Sequence, residues 1–346
     1  MASVKCFGQK SVQFADSIRR VYHIPEINYA VVSDKSILEM KALGYHSVNL
    51  QDTATVNDRF HIGSNTKAMT AFMIAKYVEK GKLKWSTKFF DIFPKWKKNA
   101  KIKYHRITLK DLLSHRARIQ PFQGENDPII PMFKGTNQEK RKEFGKFVLT
   151  LPPVEVDSIH QFTYSNADYT LATLMLEKVT QKSWEQLIEK IFNQDLKLNV
   201  KLSWPENQTA KDTWGHSFEN NKLIPVPSNA DYHLDYTEPA GDINIKLRDY
   251  AKFIQLNIQG LKGQNNYLKA NTYAMLHKGV ENYSLGWYNI YENDKELSTH
   301  SGTAGTYYSL VAIDRKRYIG YIIFTNSFNE ETINGLRILM RKLKEK

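Results

Sequence analysis

Ser64 and Lys67 are spaced so that a helix would bring the lysine amine beside the serine hydroxyl. They occur in Phe60-His61-Ile62-Gly63-Ser64-Asn65-Thr66-Lys67, where an extended apolar approach meets a strongly helical segment. Ser64 is therefore expected at a helix N-terminus, where free backbone N–H groups favour developing negative charge. Three residues on, Lys67 falls on the same helical face. A serine hydroxyl is a weak nucleophile until a base takes its proton, and a desolvated lysine with a lowered pKa can do so. Taken alone, the pair equally describes a helix cap followed by a surface lysine, because Ser-x-x-Lys recurs by chance.

Two further groups bear on that choice. Phe162-Thr163-Tyr164-Ser165-Asn166 reads as a polar-aromatic loop ahead of a helix from Tyr169. Tyr164 can relay a proton, or act as a base where nearby cations hold its phenol partly ionised. Asn166 offers an amide to orient a lysine and a substrate, although a buried tyrosine beside a capping asparagine is the plainer alternative. His300-Ser301-Gly302-Thr303 stands just before a strand expected at Tyr307. Gly302 would let a substrate approach the strand backbone closely, and the Thr303 N–H would join the Ser64 N–H in an oxyanion hole. An ordinary turn into a strand has the same residues.

These groups must be held by elements legible in the pattern. Ser11 to His23 sets Phe14, Ile18, Val21 and Tyr22 at helical spacing, with Pro25 preventing continuation. Ile27 to Val32 and Ile37 to Leu43 flank the turn-like Ser33-Asp34-Lys35-Ser36 as an antiparallel pair. Thr66 to Lys80 is helical and Gly81 is its natural stop. Further helices are expected after the capping residue Thr108, at Tyr169 to Val179, Ser183 to Asn193 and Leu247 to Ile258. Strands return at Leu285 to Tyr291, Tyr307 to Ile313 and Tyr318 to Asn326, the last two joined through Asp314-Arg315-Lys316-Arg317. An amphipathic helix from Ile333 to Lys346 closes the chain. Strands at both ends with helices between imply one sheet assembled from both termini.

Composition narrows the alternatives. The chain has 346 residues, 41% hydrophobic and 25% charged, enough to bury roughly 75% of its unfolded surface. No run approaches the roughly 18 apolar residues that span a bilayer, and the N-terminus lacks a signal-peptide pattern. Cys6 is the single cysteine, which excludes an internal disulfide and a cysteine metal site. The net charge of +13 favours anionic partners without naming one. Lys95 to Arg106 interleaves Trp96 and Tyr104 with basic residues in the manner of a nucleic-acid footprint. A solvated lysine-rich loop is the preferred interpretation, and no nucleic-acid partner is expected. His-Glu-x-x-His and Gly-x-Ser-x-Gly are absent, against zinc-protease and α/β-hydrolase chemistry.

Ser-x-x-Lys at a helix start, Tyr-x-Asn in a loop and His-x-Gly beside a late strand together resemble the serine β-lactamase, DD-peptidase and esterase superfamily. The resemblance extends to Ile107 through His115, Glu238-Pro239-Ala240-Gly241, Tyr283-Ser284-Leu285-Gly286-Trp287 and the closing hairpin. It implies an α/β (α+β) fold, an antiparallel sheet flanked by helices. Residues 1–66 and 280–346 would form the sheet-containing part and 67–279 a mostly helical insertion, with the active site in the cleft between. It further implies an acyl-enzyme on Ser64, with Lys67 and Tyr164 as general base and acid. Asn166, His300, Ser301 and Gly302 would support the substrate, and the Ser64 and Thr303 N–H groups the oxyanion. No metal or organic cofactor is implied.

Many β-lactamases carry Lys-Thr-Gly where this chain has His300-Ser301-Gly302, so a permanent cation is replaced by a group expected to titrate near neutrality. That favours D-amino-acid peptides, amides or esters as substrates, with cell-wall-derived peptides among the candidates and β-lactamase activity as the alternative. A penicillin-binding sensor without turnover is the alternative from another class. Arg116 and Arg118 follow His115 where relatives often have Thr-Ser-Gly, and surface solvation is expected for them. Relatives of this kind commonly work in the periplasm or outside the cell. The oligomeric state is open.

Overall fold

A computed structural model describes residues 2–124, 127–156, 162–205, 212–226, 234–292 and 294–345, with side chains from Lys10 onward. Among the described residues, eleven strands follow in chain order. β1 is Glu26–Ser33, β2 Ile37–Gly44, β3 Arg59–His61, β4 Lys201–Leu202, β5 Gly215–Glu219 and β6 Lys222–Val226. β7 is Ile243–Lys246, β8 Tyr288–Glu292, β9 Lys295–Thr303, β10 Tyr308–Asp314 and β11 Ile319–Thr325. Six of them form one antiparallel sheet in the order β2-β1-β11-β10-β9-β8. Both ends of the chain supply it. β3, β7 and β4 make a small second sheet, and β5 pairs with β6.

The central strands are buried along nearly their whole length, as strands covered on both faces must be. Alternation assigns their side chains to two cores. Tyr29, Val31, Tyr321 and Ile323 pack with Ala15 and Ile18 of helix Ala2–Val21 and with Leu336 and Leu339 of helix Glu330–Leu343. Ala30, Val32, Val311, Ile313, Ile322 and Phe324 face the other way, into the larger core shared with helix Leu247–Leu261. That helix lies so close that a Cβ on Gly320 would sit 2.5 Å from Ile254.

Several elements differ from expectation. The first helix begins at Ala2 rather than near Ser11. β8 starts at Tyr288 rather than Leu285, because Ser284 N–H bonds the Trp287 carbonyl around Gly286, whose φ is +91°. Helix Trp184–Ile188 widens into a π-helical turn over Glu189–Asp195. Most consequentially, His300 to Thr303 is not a turn before a strand. It is the end of β9, paired with β10 through Val311↔His300 and Tyr308↔Thr303. Its polar composition conceals a strand whose buried positions are Leu297, Ser298, His300 and Gly302.

Candidate active site

The helix Thr66–Glu79 is buried from Thr66 through Ala75, with no solvent face over its first three turns. Two bonds anchor it to the chain near Gly241: Ile243 N–H donates to Thr66 Oγ1 at 3.1 Å, and Thr70 Oγ1 to the Pro239 carbonyl at 2.8 Å. Ser64 lies in the 3₁₀ turn Gly63–Asn65 that feeds this helix, one turn earlier than a regular first helical position. Lys67 is wholly buried, and its Nζ lies 3.1 Å from Ser64 Oγ, 2.7 Å from Asn166 Oδ1 and 2.9 Å from the Ala240 carbonyl. All three acceptors are uncharged. Burial accordingly pushes the Lys67 ammonium well below its ordinary 10.5, and the charge of Asp168 offsets this only in part.

Asn166 opens helix Asn166–Thr180, whose start is capped by Ser165 accepting from Asp168 N–H. Its amide is fixed at both ends, Oδ1 toward Lys67 and Nδ2 donating to the Phe122 carbonyl at 2.8 Å. The Tyr164 ring stands 4.6 Å from Lys67 Nζ, and its hydroxyl bonds Ser64. Burial drives that phenol far above 10 despite the Ser64 bond. Tyr164 is thus neutral at physiological pH, not partly ionised. Behind it, the buried ring of His115 packs 4.4 Å from Tyr164 and 4.7 Å from Tyr283, with Nδ1 2.9 Å from Asp168 Oδ2. Burial shifts both partners toward their neutral forms, His115 downward and Asp168 upward.

The end of β9 closes the site from the other side. Gly63 has φ +48°, and a Cβ there would lie 2.4 Å from Thr303 N. A Cβ on Gly302 would lie 2.1 Å from the Ile62 carbonyl oxygen and 2.5 Å from Ser64 N. Gly302 therefore admits the backbone of the Ser64 turn. Ser309 on β10 locks the arrangement, donating to Ile62 O at 2.7 Å while accepting from Asn65 Nδ2 at 2.6 Å.

His300 is also placed, but with a different charge from that expected. Its Nδ1–H donates to the Ser301 carbonyl at 2.7 Å, leaving Nε2 to accept from Tyr283 Oη at 3.1 Å. Burial first, and then the Lys67 charge, push it down to about 3. It is a neutral imidazole, not a group titrating near neutrality. Arg116 donates to the carbonyls of Ser114, Tyr283 and Glu281, and Arg118 to that of Val154. Neither is simply solvated.

The predicted residues Ser64, Lys67, Tyr164, Asn166, His300, Ser301, Gly302 and Thr303 thus lie around one turn. Sequence reasoning assigned no role to the Ala240 carbonyl, Ser309, Tyr283, His115 or Asp168. Ala240, Tyr283 and His115 fall in the quoted segments, which was the available signal. The aromatic rings of the Lys95 to Arg106 stretch are also accounted for: Tyr104 is buried and Trp96 packs against Phe93 with ring centroids 4.5 Å apart. No helix among the described residues is long and apolar enough to cross a membrane.

Comparison with known proteins identifies relatives of this chain. Protein flp of Staphylococcus aureus (strain N315) is 24% identical over 315 residues, 89% of this chain and 61% of that protein. The chain therefore spans about three fifths of the length of such curated relatives. The octameric penicillin-binding protein homologue from Pyrococcus abyssi superposes with a TM-score of 0.72 at 21% identity, over 92% of this chain and 73% of that one. D-amino acid amidase from Ochrobactrum anthropi SV3 gives 0.74 at 17% identity, over 96% and 99%. At such identities these two likenesses are of fold. The family model for Beta-lactamase matches residues 13–342, which include every residue of the Ser64 cluster, and the chain belongs to that family.

Proposed function

We propose that this protein is a serine hydrolase working through an acyl-enzyme on Ser64, with D-amino-acid amides, peptides or esters as substrates. The observation that carries this is Lys67, a buried amine held 3.1 Å from Ser64 Oγ by uncharged acceptors only. Such an amine is neutral enough to be a base and close enough to take the serine proton. Ser64 Oγ then attacks the substrate carbonyl, and the oxyanion is received by the N–H groups of Ser64 and Thr303. Tyr164, neutral and bonded to Ser64, passes the proton on to the leaving group. Water enters by the reverse proton path and releases the acid. Asn166 keeps the Lys67 amine oriented, and His300 and Ser301 line the β9 side where the acyl group would lie.

The substrate class rests on His300. A neutral imidazole is a hydrogen-bonding group and offers no fixed cation to a carboxylate. In the resembling β-lactamases the lysine at this position is the permanent cation that recognises a substrate carboxylate, so its replacement here disfavours β-lactams and favours amides and esters. The fold likeness to a D-amino acid amidase supports the same class. A panel of p-nitrophenyl esters, D-alanyl peptides and a chromogenic cephalosporin, run beside Ser64→Ala, tests it. Ser64-dependent turnover of esters or D-peptides is expected to exceed that of the cephalosporin. Cephalosporin turnover above all the others would replace the proposal with a β-lactamase, and acylation without release would replace it with a sensor.

A further inference from the structure

Glu26, His46 and Asp58 converge away from the catalytic residues. One donor atom from each lies within 4.8 Å of the other two, and all three residues are buried. His46 Nε2 is 2.9 Å from Asp58 Oδ2, while His46 Nδ1 is 2.6 Å from Asp52 Oδ2. Asp58 is held in place by Thr55, which donates its N–H at 2.5 Å and its hydroxyl at 2.7 Å. Glu26 differs from its neighbours. It is fully buried at the start of β1, neither carboxylate oxygen makes a well-formed hydrogen bond, and the side chains it faces are those of Asp58 and Thr213. The leading charges acting on it belong to Asp58 and Asp52, both of its own sign. A buried carboxylate in such a place needs a cation or a proton.

The geometry points to a divalent metal site of the zinc type, with Glu26, His46 Nε2 and Asp58 as ligands and Asp52 orienting the imidazole. One nitrogen and carboxylate oxygens are the donors that zinc accepts, and a three-residue set leaves a position for water. Asp52 on Nδ1 is the outer carboxylate that fixes the histidine tautomer and leaves Nε2 for the metal. A tetrahedral zinc with bonds of about 2.0–2.2 Å sets its donors roughly 3.3–3.6 Å apart, against 2.9 Å between His46 and Asp58 and at most 4.8 Å within the set. The ion would staple residues 46–58, which run directly into β3 and Ser64, to the first strand of the main sheet. Asn326 reinforces that junction, accepting from Glu26 N–H and donating to the His46 carbonyl, both at 3.0 Å. The site shares no residue with the Ser64 cluster, so it is structural and outside the catalytic chemistry.

The full chain, stripped with a chelator and dialysed, would be titrated with zinc chloride by calorimetry and by thermal unfolding, with magnesium chloride as the hard-cation control. One zinc per chain, a melting temperature raised by several degrees and no magnesium response are expected. Glu26→Gln, nearly isosteric, and His46→Gln should each weaken zinc binding at least tenfold, and Asp52→Asn about 10–100-fold. Absence of a zinc response in the wild-type chain would overturn the proposal. So would unchanged zinc binding in Glu26→Gln, which would locate the ion on other histidines. Should Glu26→Gln instead melt higher than a zinc-indifferent wild type, the cluster is a carboxyl pair sharing a proton and the metal site is refuted. His46→Gln is not needed for that decision if it fails to fold.

Discussion

Removing Arg141 isolates how the protein holds the backbone around its lysine. Arg141 is fully buried in helix Asn137–Thr150 and contacts three carboxylates. Its Nη2 lies 2.8 Å from Glu177, and its Nη1 2.7 Å from Glu185 and 3.3 Å from Glu238. Glu238 begins the short turn whose Ala240 carbonyl accepts from Lys67. Arg141→Met keeps the length of the side chain and leaves three carboxylates without their cation, at a cost of about 3–5 kcal/mol near neutral pH. That corresponds to a fall in Tm of roughly 4–7 °C.

The loss should depend on pH in a defined direction. Burial pushes Glu238 up to about 7, and Arg141 is the main influence holding it down. A carboxyl raised above its unfolded 4.5 contributes stability that is complete below that value and is lost as pH climbs through about 7. For Glu238 in the wild type this amounts to about 3 kcal/mol. Without Arg141 the carboxyls rise further and protonate over a wider range, which relieves the uncompensated charge on the acid side. The deficit of Arg141→Met should therefore be largest at pH 8 and shrink at pH 5.5, and Glu238→Gln added to it should restore part of the loss at pH 8. Urea unfolding at both pH values measures this. A deficit under about 1 kcal/mol, or one equal at the two pH values, would refute the reasoning.

Three shorter tests concern catalysis. Tyr164→Phe should leave the fold unchanged and lower the acylation rate by about 10²–10⁴, read by stopped-flow with an activated ester; an unaffected rate would remove Tyr164 from the proton path. Because Lys67 is held well below its ordinary value, the kcat/KM profile should rise with pH as the amine loses its proton and level off well short of pH 10, whereas a continued climb to pH 10 would mean that the base is an unperturbed amine. Gly302→Ala would press a Cβ against Ile62 O and Ser64 N, and should cut acylation at least about tenfold by displacing the turn, whereas an unchanged acylation rate in folded Gly302→Ala would show that this close approach does not position Ser64.

Much of the site was legible because its side chains come in short, spaced groups. Ser64 and Lys67 share one turn, and Tyr164 and Asn166 flank one helix start. Missing from that pattern were contributions made by backbone and by burial. The Ala240 carbonyl has no side-chain signature, and the tight fit of Gly302 against Ser64 N depends on a strand whose polar residues, Ser298 to Ser301, do not read as one. The charge of His300 was misjudged for a similar reason. Its ordinary value lies near neutrality, but its enclosure between Tyr283, Tyr288 and Lys67 is a property of the folded chain. Glu26, His46, Asp52 and Asp58 lie on a strand start and an irregular segment with no spaced motif, so only folding assembles them.

The central claim is that Ser64 becomes acylated, and intact-protein mass spectrometry after exposure to a fluorophosphonate or to penicillin tests it most directly. A single adduct per chain is predicted, mapping to the peptide that contains Ser64 and absent from Ser64→Ala. Folded wild-type protein left unlabelled by both reagents, or an adduct that persists in Ser64→Ala, would contradict it.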